Sequence, residues 1–279
     1  MRQTLAVILA GLGLSACEGS SAPGECPEQP FLITEQQEAE LGAQVHAEIT
    51  NPSREGGMAL YNDTTVNSYV AALGEDLVAV SCRRDLRHQF FVLDTPEVNA
   101  FAVPGGYVYV TTALLSNMDS RAELAGVMGH EVGHVSAYHG ARAMQTQLGI
   151  DLIKGLLLGE QAANDSTVDF LAGTYLASTQ HSQEQELEAD GLGVKFSADT
   201  GHNPWGLVGF FEFIGGISGE SDPISDFLGS HPPPAERVTR STAQINGLGI
   251  GKDDARYAYD GGSLPFSQIK ARVQSNRRR

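Results

Sequence analysis

Residues 126–140, GVMGHEVGHVSAYHG, carry His130, His134 and His139, with Glu131 beside the first. His130 and His134 are four apart, which on an α-helix puts both rings on one face, one turn apart. Two imidazoles so placed can share one ion at about 2.0–2.1 Å from each nitrogen to zinc. Glu131 points to a neighbouring part of the helix surface, which suits a base acting on a metal-activated water better than a third ligand from the same turn. This is the HExxH pattern. The longer HExxHxxGxxH form needs a glycine at 137 and a histidine at 140, but Ala137 and Gly140 stand there,. His139 is therefore read as a structural or surface histidine.

Three protein ligands and an open position make a catalytic zinc site, so a third ligand is sought downstream. The best segment is QEQELEAD, Gln183–Asp190. Glu186 and Asp190 are i and i+4, so they share a helical face. Glu186 can ligate zinc while Asp190 accepts an N–H from a ligand histidine, which fixes the ring's tautomer and raises its basicity. Glu184 and Glu188 have no acid four residues later and are read as solvated charges.

Four stretches together, NAFAVPGGYVYVT (99–111), ELAGVMGHEVGHVSAYH (123–139), ELEAD (186–190) and SHPPPAER (230–237), resemble the HtpX and CAAX-prenyl-protease (Ste24-like) family of gluzincin metallopeptidases. Within that family the chain is similar to the lipid-anchored bacterial branch. The resemblance runs in order from about residue 31 to 245. It implies one Zn2+ held by His130, His134 and Glu186, with Glu131 as the catalytic base. It implies that His231 lies over the metal, either stabilising the oxyanion or filling the fourth zinc position as a reversible plug, and that Arg237 supports the site from behind. The family often has Tyr-Ser-Arg before its glutamate ligand, whereas this chain has His181-Ser182-Gln183. An extended substrate is expected along an edge strand at Asn99–Val103, with Asn99, Ala100 and Phe101 as the first contacts, bonding through the backbone. That mode reads shape more than sequence. It suits unfolded or misassembled envelope proteins, with an envelope assembly machinery as partner. A zinc-containing chaperone or adaptor for outer-membrane protein assembly with little proteolysis is the rival reading. A zinc amidase acting on peptidoglycan is a weaker third.

The elements that must position these residues can be outlined. Ser120 with Glu123 reads as a capping box, so the HExxH helix should start near 121. Ala122, Leu124, Ala125, Val127, Met128, Val132 and Val135 make it apolar on most sides. Gly126, Gly129 and Gly133 each cost a helix about 1 kcal/mol relative to alanine, and close approach by a strand or by substrate would explain them. Upstream, Thr34 with Gln37 caps a helix to about Ile49. Residues 64–80 form an amphipathic helix on Val66, Tyr69, Val70, Leu73, Leu77 and Val80. Phe90–Leu93, Ala100–Val103 and Tyr107–Thr112 read as strands, with Pro104-Gly105-Gly106 turning between the last two. Downstream, residues 141–179 look mostly helical, with a strongly apolar run at Ile150–Leu158. Residues 183–199 are helical with a stop at Gly201. Asn203-Pro204 opens a helix with an apolar face at Leu207, Phe210, Phe211 and Ile214. A Gly/Ser/Asp loop spans 215–230, and prolines 232–234 precede a helix to about Ile245. The fold class is α+β: a mostly helical gluzincin-type metallopeptidase domain, residues 31–247, with a small mixed or antiparallel sheet beside the HExxH helix. Residues 248–279 carry no assignment beyond a tail.

Composition limits the partners. The chain has 279 residues, 41% of them hydrophobic, enough for one sizeable core,. Its formal net charge is −16, which argues against nucleic acid, since phosphate binding needs clustered Lys and Arg. At the N-terminus, Arg2 and the short apolar stretch 4–14 read as a signal peptide too short to span a bilayer. Leu14-Ser15-Ala16-Cys17 resembles a lipobox, so Cys17 is expected to be the lipidated first residue after removal of 1–16, with residues 17–30 as a polar tether to the membrane. Glu18 in place of Asp leaves out the common inner-membrane retention signal, which points to an outer-membrane lipoprotein facing the periplasm. An oxidising periplasm would permit a disulfide between Cys26 and Cys82.

Overall fold

The structure is a computed structural model that describes residues 25–27, 34–54, 56–148, 181–216, 231, 235–257 and 264–276, with the backbone alone at 144–148. Cys17, the run at 150–158, most of the Gly/Ser/Asp loop and prolines 232–234 lie outside the described residues.

Two helices precede the sheet: α1 (Glu35–Ile49) and α2 (Thr64–Ala79). Thr34 and Gln37 form a reciprocal capping box on α1, as the sequence predicts. Asp63 caps α2 by accepting from the N–H groups of Thr65 and Val66. The sheet comprises β1 (Gln89–Leu93), β2 (Ala100–Val103) and β3 (Tyr107–Thr111). Its order is β1-β3-β2, with β1 parallel and β2 antiparallel to β3. It is therefore mixed, and β2 is an edge. The turn between β2 and β3 needs positive φ at Gly105 (80°) and Gly106 (84°), which glycine adopts without steric penalty,.

After a short α3 (Thr112–Asn117), the HExxH helix α4 (Arg121–Ser136) runs through the middle of the fold. Ser120 accepts from the Glu123 N–H, while the Glu123 carboxylate reaches the N–H of Asp119 rather than that of Ser120. Every residue of α4 from Leu124 to Ser136 is buried. Its three glycines are explained by neighbouring helices, not by a strand or by substrate. A Cβ on Gly126 would lie 2.6 Å from the backbone nitrogen of Leu207, and one on Gly133 would lie 2.8 Å from the carbonyl oxygen of Ala189. Gly129 faces Gly193, whose own Cβ would lie 2.8 Å from the nitrogen of His130. Missing side chains on both surfaces thus let two helices close on α4 almost backbone to backbone. These are α6 (Gln183–Asp199), with a Ser182/Gln185 capping box, and α7 (Trp205–Gly216). Between α4 and α6 lies α5 (His139–Leu148). Leu207, Phe210, Phe211 and Ile214 form the buried face of α7, as their spacing predicts.

Two further helices follow, α8 (Ala235–Gly247) and α9 (Phe266–Asn276). α9 falls in the segment read from sequence only as a tail. It inserts Phe266, Ile269 and Val273 into the same continuous core as α2, α4 and α7. Arg272 of α9 bonds Asp63, the cap of α2, at 2.5 Å, and Asn276 donates to the Tyr61 hydroxyl at 2.7 Å.

On the opposite side, Arg83 grips the buried Glu38 of α1 with two bonds of 3.0 and 2.7 Å and donates to the carbonyl of Val135 at the end of α4. Glu38 also accepts from the Gly105 N–H. One buried ion pair therefore joins α1, the β2–β3 turn and the C-terminal end of the HExxH helix. Next to it, Cys26 and Cys82 are disulfide-bonded, with Cα atoms 5.4 Å apart.

Candidate metal centre

His130 and His134 project from α4 with their Nε2 atoms 3.0 Å apart. The close crossing of α4 and α6 brings Glu186 against them. Its Oε1 lies 3.3 Å from His134 Nε2 and its Oε2 lies 3.6 Å from His130 Nε2. His231, just before α8, places Nδ1 at 3.0 Å from both Glu186 oxygens and 3.4 Å from His130 Nε2. These four residues are buried, and each offers a ligand atom within 4.8 Å of the others. Ligands about 2.0–2.1 Å from a tetrahedral ion would be about 3.3 Å from one another, so the 3.0–3.6 Å separations match a metal site. The donor set, three imidazoles and one carboxylate, suits a borderline-soft divalent cation. Burial opposes ionisation of Glu186, but His231 and His130 overcome it and hold the carboxyl well below the ordinary range. Burial, with His181 and His130 nearby, keeps His134 neutral far below its usual pKa. Neutral imidazole and ionised carboxylate are the forms that ligate metals.

The supporting groups come from α6 and α8. Asp190 Oδ1 lies 2.8 Å from His130 Nδ1, the nitrogen turned away from the cluster. Arg237 clamps Asp190 through two bonds of 2.7 Å and reaches Glu186 Oε2 at 2.7 Å. Its guanidinium lies 4.3 Å over the ring of Phe211. Burial would favour neutral Asp190, but Arg237 holds its pKa below the ordinary value.

Glu131 is 1% exposed, and its Oε1 makes no hydrogen bond among the described residues. That oxygen lies 3.7 Å from His231 Nε2. Burial raises the pKa of Glu131, opposed by His231 and His130. A buried carboxylate oxygen that makes no hydrogen bond beside a donor cluster has the chemistry to accept a proton from a water at the site.

Of the two alternatives for His139, the structural one holds: it is 0% exposed, and its Nδ1 lies 2.8 Å from Nδ1 of His134. Glu188 is not simply solvated, because its Oε2 lies 3.1 Å from His139 Nε2. His181, at the position of the family's tyrosine, stacks on His134 with ring centroids 3.9 Å apart, and burial lowers its pKa to about 3. Gln183, at the position of the family's arginine, instead bonds Glu236 of α8.

Asn99 sits just before β2, and Ala100 and Phe101 lie within it, both buried. Thr111 donates to the Asn99 carbonyl. By the alternation of an antiparallel ladder, the main-chain groups of Phe101 and Val103 also face β3, while those of Ala100 and Ala102 face outward. No described strand pairs with that outer edge. Ala102, Val103 and Pro104 line a cavity together with His134 and His181, so β2 and one histidine of the donor cluster share a recess.

A helix-borne HExxH pair completed by a glutamate from a second helix defines a metal-dependent hydrolase site. The sequence profile of Peptidase family M48 matches residues 64–244, and the chain belongs to that family. It is 30% identical over 200 residues to the beta-barrel assembly-enhancing protease of Escherichia coli (strain K12), covering 68% of this chain and 41% of that protein. It is 32% identical over 160 residues to the metalloprotease LoiP of the same organism, covering 55% of this chain and 61% of LoiP. It is also 32% identical over 168 residues to the mitochondrial metalloendopeptidase OMA1 of Arabidopsis thaliana, covering 60% of this chain and 33% of that protein. The chain thus spans about two fifths of the beta-barrel assembly-enhancing protease.

Proposed function

We propose that this chain is a zinc metalloendopeptidase that cleaves unfolded or misassembled proteins of the bacterial envelope, held to the outer membrane by a lipid on Cys17. The observation that carries the reading is the buried cluster of His130, His134, Glu186 and His231, with a Glu131 oxygen beside it that makes no hydrogen bond and with β2 lining a cavity shared with His134. When bound, zinc supplies Lewis acidity and lowers the pKa of water at the site toward about 7. Glu131 takes the proton as water attacks the peptide carbonyl and delivers it to the departing amine nitrogen. An extended substrate would lie along β2 and bond through the backbone, which positions the scissile bond without reading its side chains. Asp190 and Arg237 keep His130 and Glu186 in orientation. His231, within reach of Glu186 and His130, would help hold the ion at rest and would have to withdraw when substrate enters.

The envelope assignment draws on the lipobox-like Leu14-Ser15-Ala16-Cys17 and on the similarity to a beta-barrel assembly-enhancing protease. Among the described residues no helix is long and apolar enough to cross a membrane. The direct test is cleavage of unfolded casein by the purified chain, before and after chelation and zinc restoration. Chelator-sensitive, zinc-restored cleavage is expected. Zinc binding with no cleavage of any unfolded protein would favour the chaperone or adaptor reading instead.

A further inference from the structure

The two histidines of the pair are supported differently. His130 meets an acid of α6 directly, Asp190 at 2.8 Å. His134 meets no acid at its Nδ1; it meets His139, which in turn meets Glu188 of the same α6. Residues 188 and 190 are about 200° apart around a helix, so one helix cannot present both acids to the same face of α4. The imidazole of His139 closes the gap.

Tyr138 makes this possible. On a continuous helix residues 134 and 139 would diverge by about 140°. Tyr138 has φ of 59°, the left-handed region that side-chain-bearing residues seldom adopt,. It breaks the path between α4 and α5 and folds His139 back onto His134.

The proton arrangement then follows from the geometry. His134 Nε2 faces His130 and Glu186, so as a ligand it offers its lone pair there and carries its proton on Nδ1. That proton is donated to Nδ1 of His139. His139 accordingly carries its own proton on Nε2, which donates to Glu188 Oε2. Each nitrogen of these two rings finds a complementary partner, and the path reaches a carboxylate whose side chain is 24% exposed.

We propose that His139 and Glu188 are positioning residues that fix the orientation and tautomer of His134 for zinc. The proposal rests on the zinc reading given above. Its test is the zinc dissociation constant of the full chain, measured by chelator competition, with the visible spectrum of the cobalt(II)-substituted protein alongside. His139→Phe fills the space without an acceptor and should weaken zinc binding about 10–100-fold, as loss of a group behind a ligand does, and alter the cobalt spectrum. His139→Asn puts an acceptor oxygen near the Nδ1 position and should restore most of the affinity. Glu188→Ala, at a partly exposed site, should weaken binding, while Glu184→Ala on the exposed side of α6 should not. Wild-type affinity in both His139→Phe and Glu188→Ala overturns the proposal. So does a loss in His139→Asn as large as that in His139→Phe, because packing alone would then account for it. If His139→Phe does not fold, Glu188→Ala against Glu184→Ala decides. A wild-type chain that binds zinc but cleaves nothing would sink the peptidase reading and leave this test intact. One that binds no zinc would sink both.

Discussion

His231 is 2% exposed and sits within hydrogen-bond distance of both oxygens of Glu186. Under the proposed function it would compete with substrate for access to the metal. His231→Ala should leave the other three ligands and the zinc content intact and raise basal cleavage of an unfolded substrate. A fall in kcat of about 10²–10³-fold at unchanged zinc content would instead make it an oxyanion donor. His130, His134, Glu186 and Asp190 were legible because each pair obeys the i, i+4 rule within one helix. His139 and Glu188 were not, since their roles depend on a left-handed residue at 138 that the sequence does not announce. Arg237 was reached only through a family resemblance, because its link to Asp190 spans 47 residues.

Elements place these residues by how closely helices approach. The glycines of α4 show in the sequence as an anomaly, but nothing local to α4 says whether a strand, a substrate or a helix fills the space. Helices fill it. Gly133→Ala should gain about 1 kcal/mol of helix propensity and lose about 1–3 kcal/mol to overpacking, since its Cβ meets backbone that cannot give way. The net expectation is a lower urea midpoint with reduced zinc occupancy, because α6 carries Glu186. A midpoint at or above wild type would show that the crossing has slack. At the corner between α6 and α7, His202 is buried, and burial together with Arg121 lowers its pKa to about 4, against an ordinary value of about 6.5,. The unfolded chain therefore binds this proton first as pH falls. The stabilisation from keeping His202 neutral is complete above about pH 6.5 and declines as pH drops toward 4. His202→Gln should flatten the fall in urea midpoint across that window, and superimposable pH curves would contradict it.

At the scale of the whole molecule, one core runs from Tyr61 to Val273, so α9 shares its apolar contacts with the helices around the site. The 3.6-residue apolar period of α2 and α7 and the Thr34/Gln37 cap of α1 made those elements readable. The short α9, separated from α8 by a loop and apolar at only three buried positions, lacks enough turns to stand out from a tail. Phe266 is 1% exposed and packs near Tyr69, with ring centroids 6.3 Å apart. Phe266→Ala should cost about 3–5 kcal/mol, a large part of a domain's usual margin of about 5–15 kcal/mol. A thermal midpoint near wild type would mean that α9 docks only loosely. The central claim is that this frame exists to set Glu131 beside a zinc held by His130, His134 and Glu186. It is tested most directly by measuring zinc content and casein cleavage on the same preparation of Glu131→Gln. One zinc per chain with cleavage reduced about 10²–10⁴-fold is the predicted result, and near-normal cleavage by the zinc-replete variant would contradict it.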